Sequence, residues 1–409
     1  MTREPHDTAI YDLLLKNGHT IDPRNHVDGK FDVAIAGGKV AAVAADINPA
    51  LAKQVVDVAG HYVTPGIIDM HVHVYHTREP EGLSVMADSH SFRSGVTTLV
   101  DTGTAGAKHF LHFKRTVIDL AQTRILAYIN IVDLGMIGPF EQDINTMDPE
   151  LAASVVLAYP DICVGIKTAH YWTELPFDEL HPPWASVDQA IAAGNLCHKP
   201  VMVDFWPRPP ERSYEELILE KMRPGDIHTH VFAQQFPVLD ENGKPNAFLH
   251  EARARGVIFD VGHGAGSFWF RNAVPAIQNG FVADSISTDL HVRNVHGVVV
   301  DMQTTMNKIL NIGVPLADVI AQSTVAPARE LGRPELGNLS VGAEADVAVF
   351  QLHRGEFGYV DCGKAKLVGD KKLECMLTVR AGKIVYDPTG LSMPLWQEAP
   401  PAYWTIRRG

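Results

Sequence analysis

Between residues 63 and 291 short apolar runs alternate with longer stretches of helical spacing, and that rhythm excludes most folds. Eight runs read as strands: Val63–His73, Val96–Thr102, Arg124–Val132, Ile162–Lys167, Pro200–Phe205, Asp226–Phe232, Val257–Gly262 and Ser285–His291. Strands separated by helical segments pair in parallel as βα units, not as hairpins. Eight of them in roughly 230 residues fit a (β/α)8 TIM barrel, which typically takes about 250. Helices are expected between them, for instance over Ser84–Ser94 and Asp301–Leu310.

Outside this region the texture changes. Tyr11–Lys16, Phe31–Ile35, Lys39–Val43 and Gln54–Val58 are short alternating runs, with Gly37-Gly38 between two of them, which is hairpin chemistry. The same pattern returns in Ala345–Phe350 and Met376–Tyr386. The expected architecture is α/β: a barrel over residues 63–339 and a small β-sandwich domain built from both termini, residues 1–62 with 340–409. A chain of 409 residues is long enough for both. Its net charge of −13 argues against nucleic acid or an anionic membrane as the main partner. Cys163, Cys197, Cys362 and Cys375 form no close-spaced pair, so neither a zinc knuckle nor a disulfide framework is indicated. No run reaches the roughly 18 apolar residues of a membrane helix, and no apolar signal core follows Met1. The expected setting is the cytoplasm, with a small-molecule substrate as partner and homo-oligomer formation left open.

A barrel brings the C-terminal ends of its strands together around one axis. The first run leaves through His71 and His73, which alternation places on one face, where two imidazoles can grip one metal ion. Later strand ends supply Lys167, Asp204, His228, His230 and Asp289, and together these make a metal site of nitrogen and oxygen ligands. Singly, each has a plainer reading: Lys167 as a surface lysine capping its strand, His228 and His230 as packing residues. By spacing, His228 and His230 should point the same way, with His230, nearer the strand end, the better ligand. A lysine buried beside cations must be neutral or altered, and carbamylation would turn Lys167 into a bridging carboxylate. Asp289 ends a barrel strand, where an acid more often serves chemistry than packing, and His291 on its face reads as a substrate contact.

At these residues the chain resembles the amidohydrolase superfamily, in particular its deacetylase and dihydroorotase-like branch. The likeness rests on Pro65–His73, Gly165–Lys167, Thr229-His230, Asp260–Gly264, Ser287–His291 and the return segment Asn338–Asp346, and covers nearly the whole chain. It implies a two-metal hydrolase, usually with zinc. His71 and His73 would hold the more buried ion, carboxylated Lys167 would bridge both, and His230 would bind the more exposed ion. Asp289 would bind the buried ion and act as the base. One position departs: Asp204 stands where this family usually has a histidine. Coordination by Asp204 is the expectation, and the added negative charge would favour harder ions such as manganese or iron(II).

The implied reaction is hydrolysis at a carbonyl, the ions lowering the pKa of a bound water and Asp289 carrying the proton to the leaving group. Three long segments, Tyr171–Ser186, Trp206–Ser213 and Val238–Asn246, follow strands and should overlie the mouth. Trp172, Trp184, Trp206, Phe268, Trp269 and Phe270 suggest an apolar group packed against the site, although such residues equally serve as packing. Arg208, Arg212, Arg271 and Arg293 accompany them, and Arg271 and Arg293 are the expected carboxylate clamps. His170 and His263 are further candidate substrate contacts. An N-acyl amino acid or O-acyl hydroxy acid is the expected substrate. A cyclic amidase of the dihydroorotase or hydantoinase kind stays open, as does a scaffold that has lost catalysis, although scaffolds of that kind shed ligands that this chain keeps.

Overall fold

The computed structural model describes residues 9–76, 82–136, 142–169 and 176–404. The chain opens with β1 (Tyr11–Lys16), β2 (His19–Asp22), β3 (Val27–Lys30), β4 (Asp32–Ala36), β5 (Lys39–Ala44), β6 (Ala52–Asp57) and β7 (Tyr62–Pro65). Next come β8 (Ile67–Val72), β9 (Val96–Gly106), β10 (Arg124–Asn130), β11 (Cys163–Thr168), β12 (Val201–Val203), β13 (Ile227–His228) and β14 (Ile258–Phe259), separated by helical segments. The chain closes with β15 (Val347–Val360), β16 (Lys366–Arg380) and β17 (Lys383–Tyr386).

The first and last groups interleave. One sheet has the order β5-β4-β1-β6, the other β17-β16-β15-β7-β2-β3. In the second, Val347 to Phe350 of β15 pair antiparallel with Pro65 to Tyr62 of β7, so early and late parts of the chain share one sheet. Alternation along β1 explains the packing: Leu13 and Leu15 face a cluster with Val33, Ile35, Val349 and Leu377, whereas Leu14 faces Ala34 and Ile47 on the other side.

Strands β8 to β14 form one parallel sheet in chain order, each hydrogen-bonded to the next, as the eight-run pattern predicts for seven of its members. The eighth run closes the curl without forming a continuous strand. Single parallel bridges, Asp260 with Ser285 and Val72 with Leu290, tie it to both edges. Val261, His263 and Gly264 donate to the carbonyls of Ser285, Ser287 and Thr288, and His73 donates to Leu290. Asp289, whose φ of +49° lies in the left-handed region, donates its N–H to the His71 carbonyl at 2.6 Å. Inside, Ile68, Met70, Val100, Leu126, Val164 and Met202 plug the floor with Ala328 and Leu331. The pairing of β8 shifts register between Asp69 and Val72. Beyond that shift His71 and His73, not Val72, face the interior, the usual work of a bulge at a barrel rim.

Helix expectations hold with shifted ends. A turn of helix at Ala87–Ser91 continues as a 3-10 turn to Ser94. Met302–Ile312 is capped by Asp301, which accepts from the Thr304 N–H at 2.9 Å. Asn307 on this helix hydrogen-bonds both backbone groups of Leu373 and so fixes the β15–β16 hairpin against the barrel. No helix among the described residues is long and apolar enough to cross a membrane.

Candidate active site

The C-terminal rim of the sheet surrounds a cavity of about 340 Å³, lined by His71, His73, Lys167, Asp204, His230 and Asp289. Six residues from five strand ends therefore meet, and all are buried or nearly so. His73 Nε2 lies 3.0 Å and His71 Nε2 3.5 Å from Asp289 Oδ1. On the other side His230 Nε2 is 3.3 Å from Asp204 Oδ2. His71, His230 and Asp289 each offer a ligand atom, all within 4.8 Å of one another. A wider groove of about 590 Å³ opens at the opposite end of the strands, beside Pro200, Asp226 and Ile258. Volume favours that groove, but the clustered donor atoms that could hold a metal ion are in the smaller cavity, which makes it the candidate site.

What aims the imidazoles is a set of contacts behind them. His71 Nδ1 lies 2.9 Å from Thr229 Oγ1, and that hydroxyl donates to Asp260 Oδ2 at 2.8 Å. With its proton so used, Thr229 accepts from His71, which leaves the lone pair on Nε2 facing the cavity. His230 Nδ1 donates to the Gly262 carbonyl at 2.5 Å, with the same consequence. His73 Nδ1 meets Thr104 Oγ1 at 2.7 Å, and the Thr104 N–H is anchored on Asp101 at 2.9 Å. Asp260 also accepts from Ser285 and Ser287. Three imidazoles with Nε2 turned to the cavity, two carboxylates and a lysine form a donor set that suits a divalent metal ion.

The electrostatics follow from burial and convergence. Burial pushes the Asp289 carboxyl up, but His71, His73 and His230 pull it further down, leaving it ionised well below its ordinary range. Burial holds His71 neutral. Burial opposes charge on His230 too, yet Asp204 beside it outweighs this and raises its pKa. Both His230 and Asp289 have left-handed backbone, φ +64° and +49°, a conformation that costs a non-glycine residue of order 1 kcal/mol or more and clusters at functional sites. Gly103 serves the site by being small, since a Cβ there would lie 2.7 Å from the Lys167 Cβ.

Some expectations require correction. His228 and His230 do not point the same way: β13 ends at His228, and the positive φ at His230 breaks the alternation. His228 turns into an aromatic nest, 5.2 Å from the Tyr214 ring and 4.7 Å from Phe236. The expected aromatic lid is mostly core. Phe268 stacks on His263 and Trp184 on Phe205, Phe270 is buried, and of the named aromatics among the described residues Trp206 lines the cavity. Trp172 and His170 lie outside the described residues. His291 and Arg293 line the cavity, His291 Nε2 standing 4.0 Å from Asp289 Oδ2. His263 does not line it: the ring is fully buried and its Nε2 is 2.6 Å from Lys308 Nζ. Arg271 is exposed and lies over the Trp269 ring at 4.6 Å. Sequence reading gave no role to Thr229, Asp260, Thr104, Asp101 or Lys308. Asp101 and Asp260 do fall in or beside strand-like runs, where a buried acid is a signal; a threonine carries none.

Known proteins resemble this chain over most of its length. Residues 269–385 match the model of the amidohydrolase family. A deacetylase of Enterococcus faecalis is 32% identical over 92% of this chain and 99% of its own. A deacetylase of Brucella anthropi is 31% identical over 80% of this chain and 81% of its own. Among solved structures, an adenine deaminase superposes with a TM-score of 0.83 at 31% identity, covering 92% of this chain and all of the other (100%). A dihydroorotase gives 0.79 at 27% identity over 92% of this chain and 99% of the other.

Proposed function

The chain belongs to the amidohydrolase family, and from that premise we propose that it is a metal-dependent deacylase cleaving the amide of an N-acyl amino acid or the ester of an O-acyl hydroxy acid. That it is a hydrolytic enzyme acting on carbon–nitrogen bonds follows from the family and its named members. The observation that carries the finer reading is the convergence of three Nε2 atoms and the Asp289 carboxylate on one cavity, each imidazole oriented from behind.

His71, His73 and Asp289 would hold a more buried divalent ion, His230 and Asp204 a more exposed one, and Lys167, carboxylated, would join them. Zinc is the expected metal, with manganese or iron(II) as the alternatives. Bound there, such ions bring the pKa of a coordinated water near 7 and polarise a carbonyl. The residues do the rest. Asp289 is ionised and so free to take a proton, and its Oδ2 side faces Gly264 and His291, where a leaving group would receive it. Arg293 at the rim suits a substrate carboxylate, which a guanidinium holds with two parallel hydrogen bonds. Trp206 offers an apolar face beside it. A cavity of about 340 Å³ has room for a small acyl acid. The same reading includes a cytoplasmic setting and two units, a composite β-sandwich of residues 1–62 with 340–409 and a (β/α)8 barrel over 63–339.

A second reading, a cyclic amidase, is supported by the dihydroorotase likeness. Acid release from N-acetyl and N-formyl amino acids, O-acetyl hydroxy acids, dihydroorotate and hydantoins separates the two. Chelator-sensitive turnover of an open-chain acyl acid is expected; turnover restricted to rings would move the assignment to the amidase.

A further inference from the structure

We propose that the turn joining β15 to β16, through Asp361, Cys362 and Gly363, positions the loop 263–269 that walls one side of the cavity. This makes the C-terminal hairpin part of the active-site machinery, and its kinetic side rests on the hydrolase reading above.

The loop contributes Ala265, Gly266 and Ser267 to the cavity lining, next to Asp289. It runs so close that a Cβ on Gly264 would lie 2.8 Å from Asp289 Oδ2. A loop this rich in small residues has little of its own to hold it, so its shape must come from contacts outside. Some of those contacts come from the barrel, where His263, Gly264 and Trp269 donate to the Ser287, Thr288 and Phe232 carbonyls, and the rest come from the hairpin tip. The helix Phe270–Gln278 begins with Trp269 at its N-cap, which makes no side-chain cap. Asp361, 91 residues later, fills that role: its Oδ2 accepts from the Phe270 N–H at 2.8 Å, while Oδ1 accepts from Ala365 within its own turn. Cys362 grips the loop through three contacts. Its N–H donates to the Phe268 carbonyl at 3.0 Å, its Sγ accepts from the Phe268 N–H at 3.4 Å, and its thiol reaches the Gly264 carbonyl at 3.5 Å. Burial keeps that sulfur a thiol, able to donate. Gly363 lies flat on Trp269, where a Cβ would be 2.3 Å from the indole ring, and the indole N–H donates to the Gly266 carbonyl at 2.8 Å. The far end of the loop is fixed from the barrel, by Lys308 on His263. The tip is thus the outer clamp on a wall that touches the proposed base.

The test compares Asp361→Ala and Cys362→Val with the conservative Asp361→Asn and Cys362→Ser in the full-length enzyme. Amide hydrogen exchange is read over 263–270 and over β8–β11, with kcat and KM measured in parallel. The disruptive pair is expected to speed exchange over 263–270 alone and to raise KM about tenfold with kcat held within about threefold, as for an uncoupled positioning wall. Cys362→Ser should restore both, and Asp361→Asn, whose amide keeps one of the two acceptor oxygens, should restore them in part. Unchanged exchange over 263–270 overturns the proposal, as does a loss of protection spread equally over the barrel strands, which would make the tip merely structural. Exchange needs no substrate, so a wild-type enzyme silent on every acyl acid would defeat the functional reading without touching this one.

Discussion

Asp289 and Glu330 are buried acids at opposite ends of the same barrel, and they are driven in opposite directions. At the floor, burial, only partly offset by Ser285 and Arg329, pushes the Glu330 carboxyl up to about 8. At the rim Asp289 suffers the same desolvation, yet the imidazoles of His71, His73 and His230 outweigh it and hold the carboxylate charged. Burial alone therefore does not make a catalytic acid or base; the company it keeps decides. The two histidine pairs repeat the lesson. His71 and His73 both face the cavity, whereas of His228 and His230 only the second does, because a backbone turn and not the spacing sets its direction.

The largest effects should come from the rim. His71→Ala and His73→Ala are expected to abolish turnover and bound metal together, while His228→Phe, in its aromatic nest, keeps both within a few-fold; equal losses in all three would erase the distinction between the pairs. Asp289→Asn should cost roughly 10²–10⁴-fold in kcat with the fold intact, as removal of a general base does. Near-normal kcat would remove Asp289 from that role. One step back, Thr229→Val leaves the ligand set whole and breaks the relay from Asp260 to His71. Metal affinity should fall about 10–100-fold, the usual cost of an outer contact, measured by competition with a chromogenic chelator.

The floor should show the smallest effect, in stability and not in rate. The folded pKa of Glu330, about 8, is above its ordinary 4.5, so the unfolded chain gives up the proton first as pH rises. Its contribution is whole below pH 4.5, declines between there and about 8, and levels off above. Glu330→Gln, neutral throughout, should gain on the wild type across that window by up to about 1.4 kcal/mol per pH unit, discounted for relaxation. Denaturant midpoints that run parallel from pH 5 to 8 would show that burial at the floor does not hold Glu330 neutral.

The rim was easier to read in the sequence than what supports it. Apolar runs at regular intervals give away seven paired strands, and His71, His73, Lys167, His230 and Asp289 stand out as a set because the strand ends of a barrel converge, although each alone has a plainer reading. Asp204 was visible too, as the acid at the end of the fifth run. The relay through Thr229 was not, since a hydroxyl gains its meaning only from Asp260 and His71, 31 and 158 residues away. Nor was the cap from Asp361, which depends on where a hairpin tip lands. The run Phe268–Phe270 misled for a physical reason: aromatic density is the same in a lid and in a core, and packing, which sequence does not display, assigns two of the three to the core.

The central claim is that this cavity binds divalent metal and uses it to release an acid. The direct measurement is turnover of the open-chain acyl acids by enzyme stripped with chelator and then reloaded with zinc, manganese or iron(II), with metal counted per chain. Loss on stripping and recovery at close to two ions per chain is the expected result. Turnover that survives complete removal of metal would contradict the account.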